Sequence, residues 1–172
     1  IQLAVKTSAS VSYTTLVNEA YVLHRTGQTD KKTLSDKVKT DIVGKPTIDS
    51  TTGDYASSIY TGKVNEPIYL KTNAAICNAN RFGKEQVRIQ IQSKLTGDIV
   101  VVSAVESDEN SGLFYFELET EENTVKNLAD LKLQTLKRDE VNISLVECLD
   151  EQGKVTTPIN EVSTQVLIDP YG

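Results

Sequence analysis

Tryptophan and methionine are absent from this chain of 172 residues, histidine occurs once, at His24, and cysteine occurs twice. Aromatic residues make up only 6%, so a core has to be built from aliphatic side chains. One histidine and two cysteines are too few ligands for a closed zinc site. No G-x-S-x-G elbow is present to offer His24 a nucleophilic serine, and the thin aromatic inventory disfavours a sugar-stacking cleft between paired carboxylates. The chain is therefore not expected to be an enzyme. No apolar run approaches the ~20 residues that a membrane-spanning helix needs. Basic clusters are missing too. Lys31-Lys32 with Lys37 and Lys39, and Lys137-Arg138, are interleaved with acids, and the net charge of −6 argues against a phosphate backbone as partner.

What the sequence has in abundance is β-branched residues: Val, Ile and Thr fill 49 of 172 positions. These side chains suit a pleated surface better than a helix interior. Strand signals follow one another from Gly62 onward. Ile68 to Thr72 continues to Cys77, Val87 to Gln92 alternates strictly with Val87, Ile89 and Ile91 on one face, and Thr96-Gly97-Asp98 turns the chain into Ile99 to Val105. A turn at Glu109 to Gly112 leads to Leu113–Leu118, read as the third strand of a meander. Leu128 to Leu136, Val141 to Cys148 and Val162 to Ile168 complete the series. Short strands at regular spacing predict an all-β fold, an immunoglobulin-like antiparallel β-sandwich over residues 62–172. Residues 1–61 are expected to form an N-terminal extension of strands and turn-rich chain.

Within that extension, residues 17 to 27 read as strand in preference to a short helix, whereas Leu34 and Val38, four apart in Gln28 to Thr40, allow a short surface helix, with a mobile loop as the alternative. Gly44 to Gly62 is turn-dense. The opening Ile1-Gln2-Leu3-Ala4-Val5 has no initiator Met, basic n-region or long apolar h-region. The chain is expected to be an excised or mature piece of a longer protein or assembly.

Cys77 and Cys148 each end a strand-like run. An even cysteine count in an acidic, Ser/Thr-rich β-protein is compatible with one disulfide formed in an oxidising compartment. The alternative is a pair of buried free thiols inside a cell.

The stretches Gly62-Lys63-Val64-Asn65-Glu66-Pro67-Ile68-Tyr69-Leu70, Ala74-Ala75-Ile76-Cys77-Asn78, Ser93-Lys94-Leu95-Thr96-Gly97-Asp98 and Asn110-Ser111-Gly112-Leu113-Phe114 resemble a repeat domain of large Gram-negative surface proteins. Val166-Leu167-Ile168-Asp169-Pro170-Tyr171-Gly172 is similar to the junction leading into the next module of such proteins. The resemblance covers about residues 62–172. It implies an extracellular, cell-surface structural or adhesive module whose partners are neighbouring modules or a host surface ligand. It also implies a second cysteine near the last strands, where Cys148 stands.

Three further readings stay open. Asp108, Glu109 and Asn110 stand together before Gly112, and Asp169 sits at the C-terminal junction, so these four are candidate calcium ligands, although no EF-hand spacing occurs. A calcium-dependent or glycan-binding module would use the Gln28 to Tyr60 region, where Tyr55, Tyr60 and nearby Tyr69 offer amphipathic contact area. A pilin-like filament subunit would donate the N-terminal strand, with Leu3 and Val5 as its buried residues. No other cofactor is expected.

Overall fold

The computed structural model describes residues 13–18, 21–34, 38–127, 130–160 and 162–171. Among the described residues the fold is all-β, and the one helical element is a single 3-10 turn, Ala75–Cys77. The chain divides into two compact units, Ile1–Gly44 and Lys45–Gly172.

The first unit contains β1 (Tyr13–Asn18), β2 (Tyr21–Thr26), β3 (Thr29–Leu34) and β4 (Val38–Val43). β1 pairs antiparallel with β4, and β2 pairs antiparallel with β3. The β2–β3 connection is the two residues Gly27-Gln28, with Thr26 opposite Thr29 and Gly27 at φ +67°. Glycine at the first position of a two-residue loop gives a turn whose twist matches the flanking strands. That turn is why the short helix expected over Gln28 to Thr40 is replaced by β3 and β4. One i,i+4 apolar pair is weak support for a helix, and a stretch carrying Thr29, Thr33, Val38 and Thr40 gains more from a strand partner. Leu3 and Val5, the strand-donation candidates, lie outside the described residues.

The second unit contains β5 (Thr47–Thr51), β6 (Thr61–Gly62), β7 (Ile68–Asn73), β8 (Gln86–Ser93), β9 (Ile99–Val105), β10 (Leu113–Leu118), β11 (Thr120–Glu122), β12 (Leu133–Thr135), β13 (Glu140–Leu149), β14 (Val155–Pro158) and β15 (Ser163–Ile168). One sheet has the order β10-β7-β5, all antiparallel. The larger sheet runs β6-β15-β13-β8-β9, with β14 pairing the far half of β13. Its pairs are antiparallel except β6, which lies parallel to β15. A small parallel pair, β11 and β12, stands apart. β5 and β6 precede or straddle residue 62 in sequence, yet they pair with β7 and β15 and so belong to this unit.

The period-two pattern in the sequence is the burial pattern in space. Val87, Ile89 and Ile91 of β8 are buried while Gln90 between them is exposed, and Val100, Val102 and Ala104 of β9 are buried between exposed neighbours. These residues join Ile48, Leu70 and Phe114 of the other sheet, and Ile143, Val166 and Ile168 of their own, in one aliphatic core. A second expectation is also corrected. Leu113–Leu118 is not the third strand of a β8–β9 meander but pairs with β7, Phe114 standing opposite Thr72. The β9–β10 turn crosses between sheets because Phe114 and Leu118 must face a core that β8 and β9 already line from the opposite side.

Candidate functional site

Three constellations in the second unit combine buried chemistry with a defined position on the sheets. The first is the corner at the C-terminal end of β13. Cys77, in the 3-10 turn that follows β7, and Cys148, in β13, form a disulfide with Cα atoms 5.1 Å apart. β7 and β13 lie in different sheets, so the bond fastens one sheet to the other. Both cysteines are buried. Beside them Glu85 and Glu106 are buried acids. The Asn80 N–H donates to Glu85 Oε1, Glu85 N–H donates to Glu106 Oε2 at 3.4 Å, and Gly112 N–H donates to Glu106 Oε1 at 2.5 Å. Glu85 Oε2 is buried without a partner. Burial pushes the Glu85 carboxyl above its ordinary range; the Asn80 N–H pulls it back, and the neighbouring Glu106 carboxyl raises it again.

The opposite end of the same strands is closed by another carboxylate. Asp139, buried just before β13, accepts from Ser93 Oγ at 2.5 Å, Thr135 Oγ1 at 2.8 Å, Leu95 N–H at 3.0 Å and Lys94 N–H at 3.1 Å. Burial pushes this carboxyl up, but the bonds from Ser93, Leu95 and Thr135 outweigh it and hold the group below the usual carboxylate range. Asp98 adds a second tie, accepting from the Gln134 N–H at 2.9 Å.

The third constellation is a tyrosine face. Alternation along β7 and β10 turns Tyr69, Lys71, Tyr115 and Glu117 away from the core, and the register sets Tyr69 opposite Glu117 and Lys71 opposite Tyr115. The connection after β5 folds back over them. Asp54 Oδ1 accepts from Thr52 Oγ1 at 2.5 Å and from the Ala56 N–H at 3.1 Å, and Tyr55 is held at φ +58°. Its ring meets Tyr69 edge-on at 5.8 Å and Tyr115 tilted at 4.7 Å, while Lys71 Nζ donates to its carbonyl at 3.3 Å. Burial raises the Tyr55 phenol above its ordinary value, with the Glu117 charge adding to the shift. Three half-buried phenols flanked by an ammonium and a carboxylate can stack and hydrogen-bond a ligand.

The other sequence candidates are placed as follows. Asp108 Oδ1 accepts from the Glu109 N–H at 2.9 Å, and Asn110, at φ +60°, accepts from Asn78 Nδ2 at 2.9 Å through its Oδ1. Asp169 Oδ1 accepts from the Tyr171 N–H at 2.7 Å and lines a shallow 230 Å³ groove with Thr61 and Tyr69. Among the described residues no three His, Cys, Asp or Glu side chains gather in a metal-holding group. Tyr60 is exposed beside β15 and takes no part in the Tyr55–Tyr69 and Tyr55–Tyr115 ring contacts. Sequence reasoning missed Tyr115, although the alternation Phe114-Tyr115-Phe116 carries the signal that it faces away from the core. It also missed Asp139, whose role depends on Ser93 and Thr135, strand residues 46 and 4 positions away. No protein-family model matches the chain, and no curated protein does.

Proposed function

We propose that residues 45–172 form an immunoglobulin-like β-sandwich that serves as a structural or adhesive module of an extracellular bacterial surface protein or fibre. The observation that carries this reading is the buried Cys77–Cys148 cross-link between the two sheets. A disulfide points to an oxidising compartment outside the cytoplasm. Strand order supports the fold name: β5, β7 and β10 on one sheet oppose β9, β8, β13 and β15 on the other, and β6 runs beside the last strand. In immunoglobulin terms these are strands A, B and E against C′, C, F and G, with the disulfide joining the B and F strand regions. The work of such a module is mechanical, since hydrogen-bonded sheets and one covalent tie resist extension while its ends meet neighbouring modules. Antibody raised against the module should label intact, unpermeabilised cells that make the protein. Labelling only after permeabilisation contradicts the reading.

A second reading, a ligand-binding module, is favoured by the face of Tyr55, Tyr69 and Tyr115 beside Lys71. Titration calorimetry with a glycan panel, with and without calcium, tests it. Stoichiometric binding abolished by Tyr55→Ala supports this reading, and no heat from any ligand removes it.

A further inference from the structure

The edges of the two sheets are not alike. β6 has two residues. β14 has four, ends in Pro158 and pairs through a register shift at Cys148/Leu149. β5 follows Pro46, carries Asp49 and is bridged to Ser58 at its end, and β10 carries Glu117. Short strands, proline, irregularity and charge all hinder another strand from adding to an edge. β9 has none of these. Its seven residues, Ile99-Val100-Val101-Val102-Ser103-Ala104-Val105, contain no charge, proline or glycine, and its strand partner among the described residues is β8 alone. The acids that flank it, Asp98 and Glu106, are both buried, so neither guards the edge.

Hydrogen-bond phase defines what this edge offers. Ser93 N–H donates to Asp98 O at 3.0 Å and Glu106 N–H to Glu85 O at 2.9 Å, and the register between is unbroken. Even-numbered residues of β9 therefore aim their backbone groups at β8, and odd-numbered ones aim theirs outward. At Glu106 the strand passes to the other sheet through a bridge to Phe114. The open ladder is thus Ile99 to Ser103, with the N–H and C=O of Ile99, Val101 and Ser103 facing out. The side chains of Ile99 and Val101 are 40% and 49% exposed.

We propose that β9 is an assembly edge at which a second copy of this chain adds its own β9, antiparallel, about a two-fold axis at Val101. The pattern is self-complementary. Val101 meets its own symmetry mate, Ile99 meets Ser103, and the inward row of Val100 and Val102 continues from one core to the next. The adjoining β8 residues are Gln92 beside Ile99, Gln90 beside Val101 and Arg88 beside Ser103. Arg88 is already paired with Glu147, so no unpaired like charges meet across the axis. A charged partner strand would gain nothing from this neutral edge, whereas a second copy matches it in register, polarity and side-chain size. One strand pair buries less than the ~1,600 Å² of a standard interface, so the association belongs to the weak class. Because each chain carries a net charge of −6, added salt should strengthen it. This inference does not depend on the surface-module reading.

The test is sedimentation together with residue-resolved amide exchange, from micromolar to millimolar protein. The wild-type chain should pass from monomer to dimer, with the Ile99, Val101 and Ser103 amides slowing in step while Val100 and Val102 are protected throughout. Val101→Lys should remain monomeric, and Val125→Lys, on an exposed loop residue, should dimerise like wild type. A chain that stays monomeric with those three amides exchanging equally fast at every concentration overturns the proposal. So does a dimer that survives Val101→Lys, or protection of the three amides already in the monomer, which would mean that the chain covers its own edge.

Discussion

The two ends of the β8–β9–β13 ribbon are closed by opposite means. At one end a buried carboxylate, Asp139, gathers four donors and is held ionised. At the other, a covalent bond does the fastening; of the neighbouring acids, Glu106 accepts from Glu85 N–H, Ser111 Oγ and Gly112 N–H, whereas Glu85 has Oε2 left unpartnered. A buried charge is stabilising only where its bonds replace the water it lost. Asp139 meets that condition and Glu85 does not. Each end holds one buried carboxylate oxygen without a partner, Glu85 Oε2 beside the disulfide and Asp98 Oδ1 near Asp139, so what separates the ends is the opposite titration of Asp139 and Glu85, which gives them opposite dependences on pH.

The largest effect should come from the covalent end. Replacing both Cys77 and Cys148 by alanine removes a tie across 71 positions and should cost about 4 kcal/mol, read as a lower urea midpoint. Asp139→Ala should cost about 3 kcal/mol, because the donors of Ser93, Thr135, Lys94 and Leu95 lose a charged acceptor. The Asp139 contribution is present above its unfolded pKa, near 3.8, and is lost as pH falls through its lower folded value. The wild-type minus Asp139→Ala difference should therefore shrink on acidification.

Glu85→Gln should act in the other direction. The folded pKa of Glu85 is raised above 4.5, so its favourable contribution exists at low pH and is lost as pH rises through the folded value. Glutamine keeps an acceptor for the Asn80 N–H and adds a donor for Glu106. It should stabilise the chain by about 1 kcal/mol at neutral pH and by nothing measurable once pH lies below the ordinary glutamate range. A loss of stability at neutral pH would break the comparison. The smallest effect is expected on the tyrosine face, which belongs to neither end. Tyr115→Leu should cost about 0.5 kcal/mol, add to the Asp139 and Glu85 effects without coupling, and return the Tyr55 phenol towards its ordinary value in a spectroscopic titration.

Sequence and structure agree where the signal is local. Val87, Ile89 and Ile91 announce a half-buried strand by alternation alone, and the β8–β9 turn follows from Thr96-Gly97-Asp98. The cysteines could be seen as a compatible pair, but only the placement of the β7 exit against β13 brings them to 5.1 Å. Phe114 to Leu118 looks the same in sequence whether it pairs with β9 or β7, because its partner is chosen by which face of the core remains uncovered. Asp139 sits among turn residues, Lys137-Arg138-Asp139-Glu140, and nothing local distinguishes it from a solvated acid. Its donors arrive from the β8–β9 turn and from β12. Gln28 to Thr40 misleads for the opposite reason, since a single apolar pair suggests a helix where Gly27 commits the chain to a hairpin.

One measurement reaches the covalent end directly. The protein would be purified from the cells that make it with thiols trapped at lysis, then digested without reductant and analysed by mass spectrometry. No trapped thiol is expected, and one cross-linked pair of peptides should hold Cys77 and Cys148. Two trapped thiols on folded protein would contradict the cross-link, because the sheets would then be held together by the core alone and the inference of an oxidising compartment would fail.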